Sequence, residues 1–510
     1  MSSPSSRRSF LTGVGVLAGG LLVGSKVGAA TKWASQPQLV TAPWVKLEND
    51  RSGDATWLDG QPAVPGTLEG YASATSVNHG SDISFFVNTT SPTFTAKVYR
   101  LGYYQGLGAR LVETKSKLKG SVQSLPVPDQ YGTVDCNWPV TFVLHLNNRY
   151  VAGQYLVRLE NSDGHFSFVP FMVRDDSSNA TFVYMSAVTT WQAYNKWGGY
   201  SLYLEANKIG TAVVSNVQRA VRVSFNRPYD RDFANGAADL IGNEFPLLFE
   251  AERLSLDVTY WTDVDLHQRG HQLSDHQALL SLGHDEYYSP AMRDAVTIAV
   301  TQGVNVAFFG ANFCYRKIRF EPSFNGDDRL IVNYRSTADP INATDPSMTT
   351  VNWSQPPSNT PESTFSGSLY SGVDGTGSLV VGDASTWLWR GTGLANGALL
   401  PNALGAEFNN FSPLSVNPPN VQILARSPVG GGVSDVTYVA ERGQGGVFCS
   451  GTGHWIYDLS NAPRLGNNWI PAPLPGVTAP IEIATENLLR LFGSGPAGNV
   501  LPSVSNTTRF

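Results

Sequence analysis

Between residues 66 and 174, apolar and polar positions alternate over short runs, at 82–87, 94–101, 140–146, 155–159 and 166–173, with turn residues between them. Successive side chains of a strand point to opposite faces, so a period of two predicts strands with one buried face. Several short strands at such spacing predict a β-sandwich. The cluster Asp175-Asp176-Ser177-Ser178-Asn179 ends this pattern, and beyond it apolar runs alternate with helical stretches, as in α/β proteins. Ala278-Leu279-Leu280-Ser281-Leu282 predicts a buried strand, and Gly283-His284-Asp285-Glu286-Tyr287-Tyr288 a polar loop. Ser289 supplies an N-cap and Pro290 the first position of a helix to about 301, and 304–309 predicts the next strand. In such a βαβ unit the loop lies at the carboxyl end of a parallel strand, where open α/β sheets bind ligands. Residues 354–367, rich in Pro, Ser, Thr and Asn, predict a long surface loop; 421–425, 436–439 and 446–450 predict further strands, and 481–491 a terminal helix. The expected fold class is therefore α/β plus all-β: a linker over 31–65, a β-sandwich over 66–175 and an open α/β domain over 176–500.

Ser6-Arg7-Arg8-Ser9-Phe10-Leu11, a mild apolar stretch to Val23 and small residues at Gly28-Ala29-Ala30 predict a twin-arginine signal over 1–30. That signal implies export of a folded protein to the periplasm or beyond. No later apolar run is long enough to span a bilayer, so no integral membrane segment is expected once the signal is removed.

Composition agrees with a globular chain: 42% of the 510 residues are hydrophobic and only 15% charged, which excludes disorder. Outside the first 30 residues, 32 basic side chains face 41 acidic ones, a balance of −9 that argues against a nucleic-acid partner. Cys136, Cys314 and Cys449 are far apart and show no zinc or disulfide spacing.

The loop Gly283 to Tyr287 concentrates His284, Asp285 and Glu286 where side chains can converge on a pocket, although Asp285 and Glu286 equally suit a helix N-terminus. His267, His271 and His276 are spaced like metal ligands, but Gln268-Arg269-Gly270 breaks a helix that would align them, so a solvated loop is expected. Cys314, flanked by Phe313 and Tyr315, reads as a buried thiol, with a metal-free cysteine hydrolase as its functional alternative.

Five strings occur in order: Val98-Tyr99-Arg100-Leu101-Gly102-Tyr103-Tyr104, Thr190-Trp191-Gln192-Ala193-Tyr194-Asn195, Ser224-Phe225-Asn226-Arg227-Pro228-Tyr229, Gly283-His284-Asp285-Glu286-Tyr287 and Gly310-Ala311-Asn312. Together they resemble the N,N-dimethylformamidase large (beta) subunit family over roughly residues 80 to 490. The resemblance implies a β-sandwich beside a glutamine-amidotransferase-like α/β domain and one mononuclear iron(III). Tyr194, Tyr229 and Glu286 fall on the metal-ligand positions, with His284 and Asn312 beside the metal and Glu407 a further pocket carboxylate. It also implies hydrolysis of the C–N bond of a small or peptide-like amide; a homo-oligomer and a small partner subunit both stay open. The chain is shorter than the family's enzyme subunit, Arg316 stands where Trp is expected, and Arg335 stands at a Lys position. The alternative from another class is a secreted, non-catalytic protein that binds glycan or cell-wall material.

Overall fold

The structure, a computed structural model, describes residues 36–203, 219–232, 234–459, 461–464, 474 and 476–510. The export signal lies outside the described residues.

The alternating segments pair into two sheets. One carries, in order, Gln61–Pro62, His165–Arg174, Gly153–Asn161, Thr93–Leu101 and Ala109–Lys119, with Ser76–Asn78 also beside His165–Arg174. The other carries Leu68–Ala72, Asp82–Thr89 and Phe142–His145. Their facing sides share one apolar core that includes Ile83, Phe85, Val98, Val157 and Phe171. Ala109–Lys119 had no sequence signal: its outer half, Glu113 to Lys119, is charged and half-exposed, the composition that keeps an edge strand from pairing with another chain.

The second layer is a seven-stranded sheet ordered Val258–Thr262, Phe182–Ser186, Ala278–Ser281, Asn305–Phe308, Gly446–Cys449, Gly432–Ala440 and Gln422–Val429. The first five run parallel and the last two antiparallel. Ala278–Ser281 is buried at every position, which explains its unbroken apolar run. The helix Pro290–Thr301 follows, and its Ser289 side chain accepts a hydrogen bond from Met292 N.

Residues 36–65 pack into the fold. The helix Pro43–Asn49 buries Val45, Glu48 and Asn49; Glu48 pairs with Arg110, and Asn49 Oδ1 accepts from the backbone N–H groups of Tyr103 and Tyr104. A fully buried ion pair joins the strand Thr93–Leu101 to the helix Phe245–Arg253, Arg100 Nη2 to Glu252 Oε1 at 2.6 Å, with the Tyr260 hydroxyl also on Glu252. Removing one member of such a pair typically costs about 3–5 kcal/mol, because the other charge is left buried and unanswered.

Residues 354–367 depart from the surface loop in their second half. Glu362, Ser363 and Ser366 are buried, and Glu362 Oε1 accepts from Tyr370 N, so polarity here serves internal hydrogen bonds rather than solvent. Among the described residues, no helix is long and apolar enough to cross a membrane.

Candidate active site

Three parallel strands deliver the site from their carboxyl ends. After Phe182–Ser186 comes the helix Val188–Tyr194, with Tyr194 on its last turn; after Ala278–Ser281 comes the loop with His284 and Glu286; after Asn305–Phe308 comes Asn312. The two loops meet at glycines. A Cβ on Gly310 would lie 1.6 Å from Gly283 O, and one on Gly283, whose φ is 53°, would lie 2.4 Å from Asn243 O. Only residues without a side chain permit that approach. The loops are then joined by backbone hydrogen bonds, Cys314 N to Asp285 O and Tyr315 N and Arg316 N to Glu286 O, each 2.9 Å.

Glu286 is the centre. It is fully buried, yet its carboxylate is well supplied: Tyr194 OH donates at 3.0 Å, Tyr203 OH at 2.6 and 2.8 Å, and Arg316 Nε at 3.0 Å. Burial alone would raise its pKa, but His284, Arg316 and Tyr203 outweigh burial and hold the carboxyl down at about 2. The two phenols go the opposite way. Burial, then the adjacent Glu286, pushes Tyr194 and Tyr203 well above the usual phenol value, so both are hydrogen-bond donors.

His284 Nε2 lies between two carboxylates, 3.1 Å from Glu407 Oε2 and 3.5 Å from Glu286 Oε2, but without hydrogen-bond alignment to either. Burial disfavours its charge; Glu407 and Glu286 overcome that and favour the imidazolium. Glu407 comes from the strand Leu399–Asn410 of a long hairpin. Asn312 Nδ2 donates to Glu407 Oε1 at 3.0 Å, whereas Asn312 Oδ1 is a buried acceptor with no protein partner. Its backbone φ of 54° is left-handed, a conformation Asn tolerates better than most residues.

The structure thus brings Tyr194, Glu286, His284, Asn312 and Glu407 together. It does not bring Tyr229 to them. Tyr229 packs edge-on against Trp191, their ring centroids 6.2 Å apart, and lines two small cavities against sandwich residues such as Phe166 and Phe171. The second phenol on Glu286 is Tyr203, which the sequence analysis missed. The cause is the turn between them: fully buried Arg227 donates to the carbonyls of Gln192, Asn195, Trp197 and Tyr200, pinning a loop that returns Tyr203 to Tyr194. The string around Arg227 therefore acts on the site through its arginine. Gly198-Gly199, both at positive φ, were the available signal that the chain reverses there.

The remaining candidates lie apart. His267 Nδ1 is 2.8 Å from Ser289 Oγ, His276 Nδ1 is 2.6 Å from Ala180 O, and His271 is exposed. His267 sits in the last turn of a helix, Asp263–Arg269, and His276 is buried rather than solvated, because each imidazole has its own polar partner. Cys314 is buried, and burial pushes its thiol up to about 12, which leaves little thiolate for nucleophilic attack. Among the described residues, no group of three or more His, Cys, Asp or Glu side chains is placed to hold a metal ion.

A family model described as N,N-dimethylformamidase beta subunit-like, C-terminal, matches residues 95–468. No curated protein matches the chain. Among solved structures, an uncharacterized protein from Bacillus anthracis str. Ames is 14% identical over 24% of this chain and 93% of its own, with a TM-score of 0.15. A Paenibacillus sp. cycloisomaltooligosaccharide glucanotransferase is 11% identical over 55% of this chain and 37% of its own, also with a TM-score of 0.15. Neither likeness carries information about this site.

Proposed function

Because the chain belongs to the N,N-dimethylformamidase beta subunit-like family, we propose that it is an iron-dependent amidohydrolase cleaving the C–N bond of a small or peptide-like amide. The observation that supports this most is the convergence of two phenols, Tyr194 and Tyr203, on the single buried carboxylate of Glu286. Three hard oxygen donors, each phenol within 3.0 Å of the carboxylate, suit the close oxygen spacing around a small trivalent cation. Tyr194, Tyr203 and Glu286 would hold one iron(III), with Tyr203 in the place the family resemblance gave to Tyr229. Held there, it would supply Lewis acidity toward an amide carbonyl and an attacking water.

The chain's own residues supply the rest. The free Oδ1 of Asn312 can accept an N–H of the substrate, orienting the amide while Nδ2 holds Glu407. His284, charged beside Glu407, can deliver a proton from Nε2 to the departing amine nitrogen, and Glu407 can take up the proton of the attacking water. His284 and Glu407 are each about one-fifth exposed, so the site opens toward solvent on their side.

The family is named for a beta subunit, which supports a companion subunit. We also place the reaction outside the inner membrane, from Arg7 and Arg8; a precursor with both changed to Lys should remain in the cytoplasm, and normal export of that form would remove this part. The activity is tested by amine release from a panel of small amides, neutral and acidic, by iron-loaded protein. Wild type should release amine and Glu286→Gln should not; equal release by both would contradict the assignment.

A further inference from the structure

Three guanidinium groups gather beside the Glu286 site. Arg316 donates from Nε to Glu286 and from Nη1 to Asn352 Oδ1, and its Nη2 makes no hydrogen bond among the described residues. Arg335 lies over the ring of Tyr203, 4.1 Å from its centroid. Its Nη2 donates to Tyr287 OH at 2.8 Å and its Nε to Asn333 Oδ1 at 3.0 Å, while Nη1 makes no hydrogen bond among the described residues. Arg219 is occupied by the carbonyls of Ala220, Asn333 and Tyr334. It is close enough to the others that burial, followed by Arg335 and Arg316, pushes it down to about 10.

Among the described residues the charges do not balance. Arg316 answers Glu286 and His284 answers Glu407, but among the described residues neither Arg335 nor Arg219 has a carboxylate within ion-pair distance. A ferric ion with two phenolates would only add to the positive excess. Half-buried cations without a counter-ion are costly unless something pairs with them. Arg335 is also held at φ 59°, in the left-handed region that arginine rarely adopts, so local backbone preference does not explain its position.

Resting on the amide-hydrolase reading above, we propose that the substrate bears a carboxylate near its scissile amide, received by the guanidinium groups of Arg335 and Arg316. A guanidinium presents a planar fork that matches a carboxylate, and the stack on Tyr203 fixes that plane one side chain away from Glu286. The substrate class is then an N-acyl amino acid or similar acidic amide rather than a neutral formamide.

The test uses the full iron-loaded chain and the matched pair N-acetylglycine and N-acetylglycinamide, which differ in the carboxylate. Binding is measured by calorimetry and hydrolysis by amine release. Wild type should bind the acid at least roughly tenfold more tightly, the scale of a hydrogen bond to a charged group. Arg335→Gln should bring the ratio of the two affinities near one, and Arg335→Lys should keep part of it. A preference for the acid without hydrolysis of either compound would keep the carboxylate site and remove the hydrolase reading. Hydrolysis with equal binding, or binding of neither, would overturn the carboxylate site; an unchanged ratio in Arg335→Gln would overturn the role of Arg335. The wild-type comparison decides the first question even if a variant fails to fold.

Discussion

The rings of Tyr194 and Tyr203 stack with centroids 4.2 Å apart and an interplanar angle of 26°, and both hydroxyls donate to Glu286. One comes from the last turn of a helix and the other from the end of an eight-residue return loop, so their pairing is a product of tertiary structure. The stack places two phenol oxygens and a carboxylate at one point, and the proposed chemistry depends on it.

The proton carriers are separable from the oxygen ligands. His284→Ala removes the imidazole but leaves Tyr194, Tyr203 and Glu286 in place, so iron content should persist while kcat falls about 10²- to 10⁴-fold. Glu407→Gln keeps the size of the side chain and the acceptor for Asn312, and should lose rate in the same range. Metal analysis beside steady-state kinetics checks both; loss of iron from His284→Ala would make that residue a ligand instead.

Cys314 provides a control on mechanism. Its thiol is buried, and Arg293 Nη1 donates to Sγ at 3.4 Å. Cys314→Ser preserves that acceptor, and kcat should change by less than about threefold, as expected for a group outside the chemistry. Complete loss of turnover with iron retained would favour a cysteine hydrolase.

Glu244 gives a stability prediction with a defined sign. Burial raises its carboxyl from 4.5 to about 8, while Oε1 accepts from Ala187 N and Trp191 Nε1 and Oε2 has no partner. An acid whose folded pKa is raised contributes stability that is fully present below its unfolded pKa and is lost as pH rises through the folded value. Unfolding free energy should therefore decline between about pH 4.5 and 8, with a contribution from this group of at most about 1.4 kcal/mol per pH unit. Glu244→Gln should flatten that slope in denaturant titrations. An unchanged slope would show that Glu244 ionises without penalty in the folded state.

Strands with one buried face and helices with capped starts were legible because period and capping are local. Thr93–Leu101, His165–Arg174 and Pro290–Thr301 agree with the sequence expectation to within one residue at each end. The hairpin of Leu369–Val380 and Leu399–Asn410, which delivers Glu407, was not: its first strand has the Gly-rich sequence Leu-Tyr-Ser-Gly-Val-Asp-Gly-Thr-Gly and neither alternation nor an apolar run. At the site, Glu286 and His284 stood out because they share a short loop with glycines. Tyr203 did not, because its function depends on hydrogen bonds from Arg227, 24 residues later, to carbonyls that carry no sequence identity. Tyr229 drew attention through the same string that owes its role to Arg227.

The most direct test of the account is the visible spectrum and iron content of the protein after iron loading, in wild type, Tyr194→Phe, Tyr203→Phe and Tyr229→Phe. Phenolate bound to iron(III) absorbs in the visible, so wild type should be coloured, hold about one iron per chain, and lose its colour on reduction. Each of Tyr194→Phe and Tyr203→Phe removes one oxygen at nearly constant shape and should shift or bleach the band and weaken iron retention, whereas Tyr229→Phe should leave the band in place. Colourless, iron-free wild type after anaerobic loading would contradict the metalloenzyme, and bleaching by Tyr229→Phe but not by Tyr203→Phe would contradict the site built on Tyr194, Tyr203 and Glu286.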